Sequence, residues 1–581
     1  MHESDAWWLC FDTIQMIDQE LRGVDAFLEE TGRPRFKAHH VKAAESSARL
    51  ARYIETAGWR PVDTRLRVTD VAALVERLGG KRLYGDDPRV ALRELIQNAA
   101  DAIRARRCVP GISADFGVIT VALRDRSDGI WLEVQDNGVG MSTSVLTGTL
   151  LDFGASLWRS SAMQQEHPGL VGRGLNASGR FGIGFFSIFI LGEHVKVTSR
   201  RYAAALIDTR TLEFRHGLAS RPVLRDPSND EGLVDCRTRV SVRLLKAPDE
   251  KGGLLHREML IGKPILTALP ALVASLCPAL DVRIDIVDRS ESMHGVVEAS
   301  DWRVLPGKQF LTRIMVADLS WLPRPSVAIG DNLRDLQSPD GTQYGRACIH
   351  PTARAASAGV VTIGGLRATG LGYIGGVLFG GEPETVVRNA ALPAVPSSVL
   401  SAWATEQAQL LPESALSPRF CVRGACVVLS LGGDPCNLSI ALMGDEGKNR
   451  TELLELLVEV DTVRVFKGLS VSYDDSRDEM KEGLFDDAFV ADSDLVFLEV
   501  KYPDILTVGS QKWPQCMPGY SSIPGPRTPF DAFYALVQEA WGNEFDQEAE
   551  ECRVGEVDGF YEITREVILF KRSAPSTDYP A

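Results

Sequence analysis

The chain has 581 residues, a formal net charge of -15 at pH 7, and 44% hydrophobic and 24% charged residues, a composition that suits a globular protein of two to four domains. The acidic balance argues against broad nucleic-acid binding, which needs a basic surface, and no apolar run reaches the roughly 18 residues of a membrane helix. The start, MHESDAWWLCFDTI, lacks the features of a secretory signal, no cysteine or histidine spacing suits zinc, and the ten cysteines read as reduced thiols of a cytoplasmic protein.

Residues 1–60 read as helical, with amphipathic spacing in ESSARLARYIETAG (45–58) that ends at Gly58. A short helix is expected over 68–80 and a turn at YGDDP (84–88). The spacing predicts a strong helix over 88–107, PRVALRELIQNAADAIRARR, with Pro88 and Arg89 in its first turn. Strands are expected over 116–125 and 129–136, joined by RSDG, which favours a hairpin. Residues 142–180 form a long Gly- and Ser-rich stretch, and loops of that length usually carry function. RFGIGFFSIFILG (180–192) reads as a glycine turn feeding an apolar helix, and strands at 194–201 and 238–245 close the region. Farther on, the patterns predict helices over 398–411 and 531–542, strands over 426–431 and 495–502, and a Pro- and Gly-rich loop over 510–529.

Three motifs carry chemistry. On the helix 88–107, Glu94, Asn98 and Asp101 share a face, opposite Leu92, Ile96, Ala99 and Ile103. An amide oxygen and a carboxylate suit magnesium, and a carboxylate can also deprotonate water; the same trio also suits a solvated helix face. At a strand end, Asp136-Asn137-Gly138-Val139-Gly140-Met141 offers a carboxylate to an exocyclic amine and a backbone that can approach a flat ring, or a simple turn. Gly179-Arg180-Phe181-Gly182-Ile183-Gly184-Phe185 leaves amide groups free for phosphate oxygens. No Gly-Lys-Ser/Thr follows, so it is not a Walker A loop.

Taken together, the order and spacing of these motifs resemble the GHKL (Bergerat-fold) ATPases: gyrase B, heat shock protein 90, histidine kinases and mismatch-repair ATPases. RELIQNAADA is similar to the family's N-box and VQDNGVGM to its adenine-site motif. GRFGIGFFS resembles the glycine motif of the heat-shock-90 branch, and Arg237-Thr238-Arg239-Val240 resembles its last nucleotide-contacting strand. The resemblance covers about residues 84–245.

It implies an α+β fold: a Bergerat-type domain, with a mixed, largely antiparallel sheet covered by helices on one face, then α/β middle and C-terminal domains. The implied boundaries are a helical extension (1–60), the ATPase domain (61–248), a middle domain (249–415) and a C-terminal domain (416–581). The implied cofactors are ATP and magnesium. Glu94 would activate water, Asn98 would bind magnesium, and Asp101 would support the site. Asp136, Gly138, Gly140, Met141 and Thr238 would hold adenine, and Gly179, Gly182, Gly184 and Phe185 the phosphates. Residues 142–178 would form a lid hinged near Gly154 and Ser156. Arg388, in ETVVRN, faintly resembles an arginine that reaches the γ-phosphate. The implied function is a divergent, homodimeric chaperone-type ATPase with protein clients; the alternatives are a nucleic-acid-linked or signalling member, or a histidine kinase using His39 or His40. The lid segment matches loosely, and the first 60 residues have no counterpart in a typical bacterial heat-shock-90 chaperone.

Overall fold

A computed structural model describes residues 4–57, 59, 61, 87–154, 156–160, 166–167, 173, 175, 177, 179, 182–258, 264–287, 289, 292–315, 329–351, 359–381, 391–411, 416–468, 471–474, 479–482, 489–499, 507–508 and 511–573. Two compact units divide the chain, residues 1–74 and 75–581. The helix expected over 68–80 lies outside the described residues. None of the described helices is long and apolar enough to cross a membrane.

In the first unit, α1 (Ser4–Glu30) is the main element. Trp7, Phe11 and Leu50 form its small core, with Trp8, Ile14, Ile54 and Trp59 packed on them. The helix expected over 45–58 shrinks to one turn, Ser47–Leu50. So short an apolar stripe stabilises little helix by itself. His39 Nδ1 lies 2.6 Å from Asp25 Oδ2.

The second unit opens with α2 (Pro88–Arg107), which matches the predicted span. Asp87 caps it by accepting a hydrogen bond from Arg89 N at 3.0 Å, and Pro88 fills the first position. Leu92, Ile96, Ala99 and Ile103 are buried against an eight-stranded sheet. Its strands are β1 (Val118–Arg126), β2 (Gly129–Asp136), β3 (Val195–Ser199), β4 (Arg210–Phe214), β5 (Val223–Arg225), β6 (Thr238–Arg243), β7 (Arg283–Val287) and β8 (Met293–Val297), in the order β8-β7-β1-β2-β6-β3-β4-β5. Only β1 and β7 run parallel. Alternate residues face the helices: Ile119 and Val121, Leu132 and Val134, Val195 and Val197, Ile284 and Ile286.

The other face carries charge. Arg225 donates to Glu213 at 2.8 Å and to Glu231 at 2.7 Å, and Lys196 lies 2.9 Å from Glu231. Burial would raise the Glu213 carboxyl, but its bonds to Arg225 and His194 outweigh that and hold it at about 2.

This topology corrects the boundary at 248. β7 and β8, with α3 (Leu269–Leu276), complete the first sheet and its core. The parallel pairing of β1 is the reason: its partner must return from a distant segment. A five-stranded sheet follows, in the order β9-β10-β13-β11-β12, from β9 (Arg334–Gln337), β10 (Gln343–Ile349), β11 (Gly359–Ile363), β12 (Leu366–Leu371) and β13 (Ile374–Phe379). Its core runs on without a break through α4 (Ser397–Leu410) and α5 (Pro418–Ser430). The same core reaches a seven-stranded sheet between residues 441 and 572, where the expected strand 495–502 is found as Leu495–Glu499. The expected helix 531–542 is found as Pro529–Trp541. The strand expected over 426–431 lies instead inside α5, where Pro418 starts a helix buried from Cys421 to Ser430. A run buried on every side has no periodicity to separate strand from helix.

Because Ile284 is fully buried opposite Ile119, Ile284→Ala should cost about 2–5 kcal/mol. Hydrogen exchange should speed up in the amides of β1 and α2. Unchanged protection there would restore the boundary at 248.

Candidate active site

One cavity of about 140 Å³, partly open to solvent, lies between α2, the end of β2, the start of β6, and the glycine segment. Glu94 and Asn98 line it from α2, Asp136 from the end of β2, and Thr238 from the start of β6. Gly140, Met141, Gly179, Gly182, Gly184 and Phe185 complete the set named from the sequence. Asp101 and Gly138 are not in the lining.

The apolar, strand-end side is built on cross-strand register. Asp136 stands opposite Thr238 in the β2–β6 pair. Thr238 Oγ1 lies 3.0 Å from Ser199 Oγ, which in turn accepts from Met141 N at 2.9 Å. The Asp136 carboxylate accepts from Gly138 N at 2.9 Å. Burial pushes this carboxyl up to about 7, with the Gly138 bond opposing. Gly140 has φ +67°, and a Cβ there would fall 1.9 Å from Arg200 O, so only glycine fits. Gly138 serves a different end from the ring contact expected of it. Its missing Cβ would lie 2.5 Å from the Ala102 main chain, so the turn rests directly on α2.

At the other end, Glu94 is 3% exposed. Its Oε1 accepts from Arg93 Nη2 at 3.0 Å, and a Cβ on Gly184 would come within 2.5 Å of its Oε2. The glycine segment can therefore pass directly over the carboxylate. Arg93 also donates to Arg367 O of β12 at 3.3 Å. Asn98 follows one turn after Glu94 on the same cavity wall. One amide oxygen beside one carboxylate is a hard donor set that fits magnesium, which keeps several waters and takes its other ligands from phosphates.

Asp101 is fully buried behind the cavity wall. It accepts from Gly179 N at 2.8 Å and from Arg104 Nη1 at 2.9 Å, and Arg104 Nε reaches Asp281 at 3.1 Å. Burial would raise the Asp281 carboxyl, but Arg104 and Arg107 hold it below the usual range. The helix after the glycines is a 3₁₀ helix, Gly184–Ile190, in place of the α-helix expected. Ser187 Oγ donates back to Gly184 O at 2.6 Å and tightens its first turn.

The expected lid is described in parts. Gly154 N donates to Gly182 O at 3.4 Å and Ser156 Oγ to Gly179 O at 2.6 Å, so its start is tied to the glycine segment. Thr149, Leu150, Leu157 and Trp158 line the cavity, and sequence reasoning named none of them. It also missed Ser199, Arg93 and Gln97. An aromatic residue in a Gly- and Ser-rich stretch was the available signal for Trp158; Ser199 is visible only through strand register. Arg388 lies outside the described residues.

An Asp136 that titrates near 7 in the fold, against an ordinary 3.8, holds a proton that the unfolded chain has lost across that window. Stability therefore falls as pH rises from about 4 to 7. Asp136→Asn should raise the melting temperature more at pH 8 than at pH 5. An equal change at both pH values would show that Asp136 is not desolvated.

The profile described as histidine kinase-, DNA gyrase B-, and HSP90-like ATPase matches residues 87–227. Chaperone protein HtpG of Nitrobacter hamburgensis is 34% identical over 150 residues, 24% of this chain and 23% of that protein. HtpG of Azorhizobium caulinodans is 34% identical over 149 residues, 24% of this chain and 22% of that one. HtpG of Borreliella afzelii is 32% identical over 117 residues, 19% and 18% of the two chains. The chain thus spans about a fifth of the length of these curated relatives. Residues 87–227 therefore match a domain of the histidine kinase, gyrase B and HSP90-like ATPase type, and the chain is similar over a partial stretch to the HtpG chaperones.

Proposed function

We propose that this cavity binds ATP with magnesium and hydrolyses it, and that the chain works in the cytoplasm as a homodimeric, heat-shock-90-like machine on protein clients. The carrying observation is the pairing of two nearly buried carboxylates, Glu94 and Asp136, at opposite ends of one cavity whose wall is a glycine segment.

The adenine amine would donate to Asp136. Exchanging bulk water for a desolvated acceptor selects a base that brings its own donor. Gly140 leaves room for the ring plane, and Thr238 with Ser199 would hold a water beside it. The phosphates would then lie along Gly182 and Gly184, next to Glu94. There the Glu94 carboxylate would take the proton of the attacking water, with Arg93 fixing its orientation. Magnesium, when bound beside Asn98, supplies positive charge to the phosphate oxygens. Trp158 and Leu157 would exclude solvent as the lid closes. The chaperone role rests on the HtpG relatives, of which the Nitrobacter hamburgensis protein matches 24% of this chain.

Glu94→Ala should leave ADP affinity within a few-fold of wild type and lower ATP turnover by about 10²–10⁴-fold, the usual contribution of a general base. Unchanged turnover removes Glu94 from that role. Asp136→Asn should weaken ADP binding by roughly 10–100-fold, the worth of a hydrogen bond to a charged group. Native affinity in this variant would refute the adenine assignment. Native mass measurement with a non-hydrolysable ATP analogue should show a dimer; a monomer under saturating analogue would contradict the machine.

A further inference from the structure

A group of arginines backs onto the strand-end wall of the cavity. Arg106 lies in the last turn of α2, Arg200 and Arg201 follow β3, and Arg237 precedes Thr238. Arg200 N donates to Arg237 O at 3.0 Å. A Cβ on Gly140 would touch both neighbours, 1.9 Å from Arg200 O and 3.3 Å from Arg237 Cβ. The Arg106 guanidinium lies 3.7 Å over the Tyr202 ring, and His167 stacks on that ring at 5.7 Å.

None of these four guanidinium groups pairs with a carboxylate among the described residues. Arg200 donates to the carbonyls of Ala204 and Leu233, Arg201 to that of Glu166, and Arg237 to that of Cys236. Elsewhere in the same domain arginines do find acids, as Arg104, Arg126 and Arg225 show. Arg200 is 7% exposed and its Nε has no partner; Nη1 of Arg106 and Nε of Arg201 are also buried without one. Burial, and then the charge of Arg237, lowers the pKa of Arg200; Arg106 is lowered by burial, with Tyr202 opposing and Arg237 adding to the shift.

Desolvated cations crowded without a counter-charge cost folding free energy, and such arrangements concentrate at functional sites. Guanidinium forks match the oxygens of a phosphoryl group in pairs. The chain's charge of -15 repels an extended polyanion from a distance and favours a compact one. We propose that Arg106, Arg200 and Arg237, flanked by Arg201, bind a compact phosphoryl anion, such as pyrophosphate or the terminal phosphates of a small metabolite, outside the nucleotide cavity. Arg237 N donates to Asp136 O at 2.7 Å and Arg200 O packs on Gly140. An anion here therefore acts on the main chain that shapes the adenine end.

The test is calorimetric titration of inorganic pyrophosphate into the full chain, in magnesium-free buffer, with and without saturating ADP. One site should persist in both conditions. Arg106→Gln and Arg237→Gln should each weaken it at least about tenfold. In anion-free, low-salt buffer Arg237→Gln should also melt above wild type, because it relieves repulsion between like charges. Pyrophosphate binding that both substitutions leave unchanged, or that vanishes when ADP fills the cavity, overturns the proposal. Tighter binding of single-stranded DNA than of pyrophosphate, lost in the same variants, overturns the compact ligand in favour of a nucleic acid. A failure of ADP to bind at all sinks the nucleotide reading alone, since the ADP-free titration still reads the arginines.

Discussion

The seating of α2 on the first sheet is the interaction on which the rest depends. Leu92, Ile96, Ala99 and Ile103 are buried against Ile119, Val121, Leu132 and Val134. That contact fixes the rotation of the helix, and rotation alone decides that Glu94 and Asn98 face the cavity while Asp101 faces the glycine segment. It also explains Gly138, whose turn lies directly on the Ala102 main chain. An α2 turned by one residue would swing every functional group by about 100° and bury charge against hydrocarbon.

Around that helix the polar groups form two links to the second sheet. Arg93 spans Glu94 and the Arg367 carbonyl of β12. Arg104 spans Asp101, Asp281 and the Gly364 carbonyl in the turn before β12. One link ends on the proposed general base and the other, through Gly179, on the proposed phosphate segment. Both would feel a shift of the β11–β12 hairpin. A nucleotide that moves the glycine segment therefore has a mechanical route to the second sheet, made of charge-assisted bonds.

Local signals were legible where they act locally. Pro88 and the helical spacing gave the limits of α2, and RSDG gave the hairpin between β1 and β2. The three motifs converge because one lines a face of α2, one ends β2, and the glycine segment packs against both Glu94 and Asp101. What depends on distant pairing was not legible. β7 joins β1 from more than 150 residues away, so the extension of the first sheet past 248 could not be seen. Ser199 enters the site through its partner Thr238, and Asp101 is drawn from the cavity by Arg104 and Gly179. Residues 426–431 carry a β-branched run, yet Pro418 and burial on all sides make a helix of it. The arginine group escaped notice because its meaning lies in missing partners, which a sequence does not display.

The central claim is spatial and chemical at once: two carboxylates and a glycine segment hold one magnesium nucleotide. A crystal structure of the full chain with ADP and magnesium tests it most directly. The account predicts the adenine amine within hydrogen-bonding distance of Asp136, the phosphates along Gly182 and Gly184, and the metal beside Asn98. Nucleotide bound at any other surface, or a cavity left empty at saturating ADP, would contradict it.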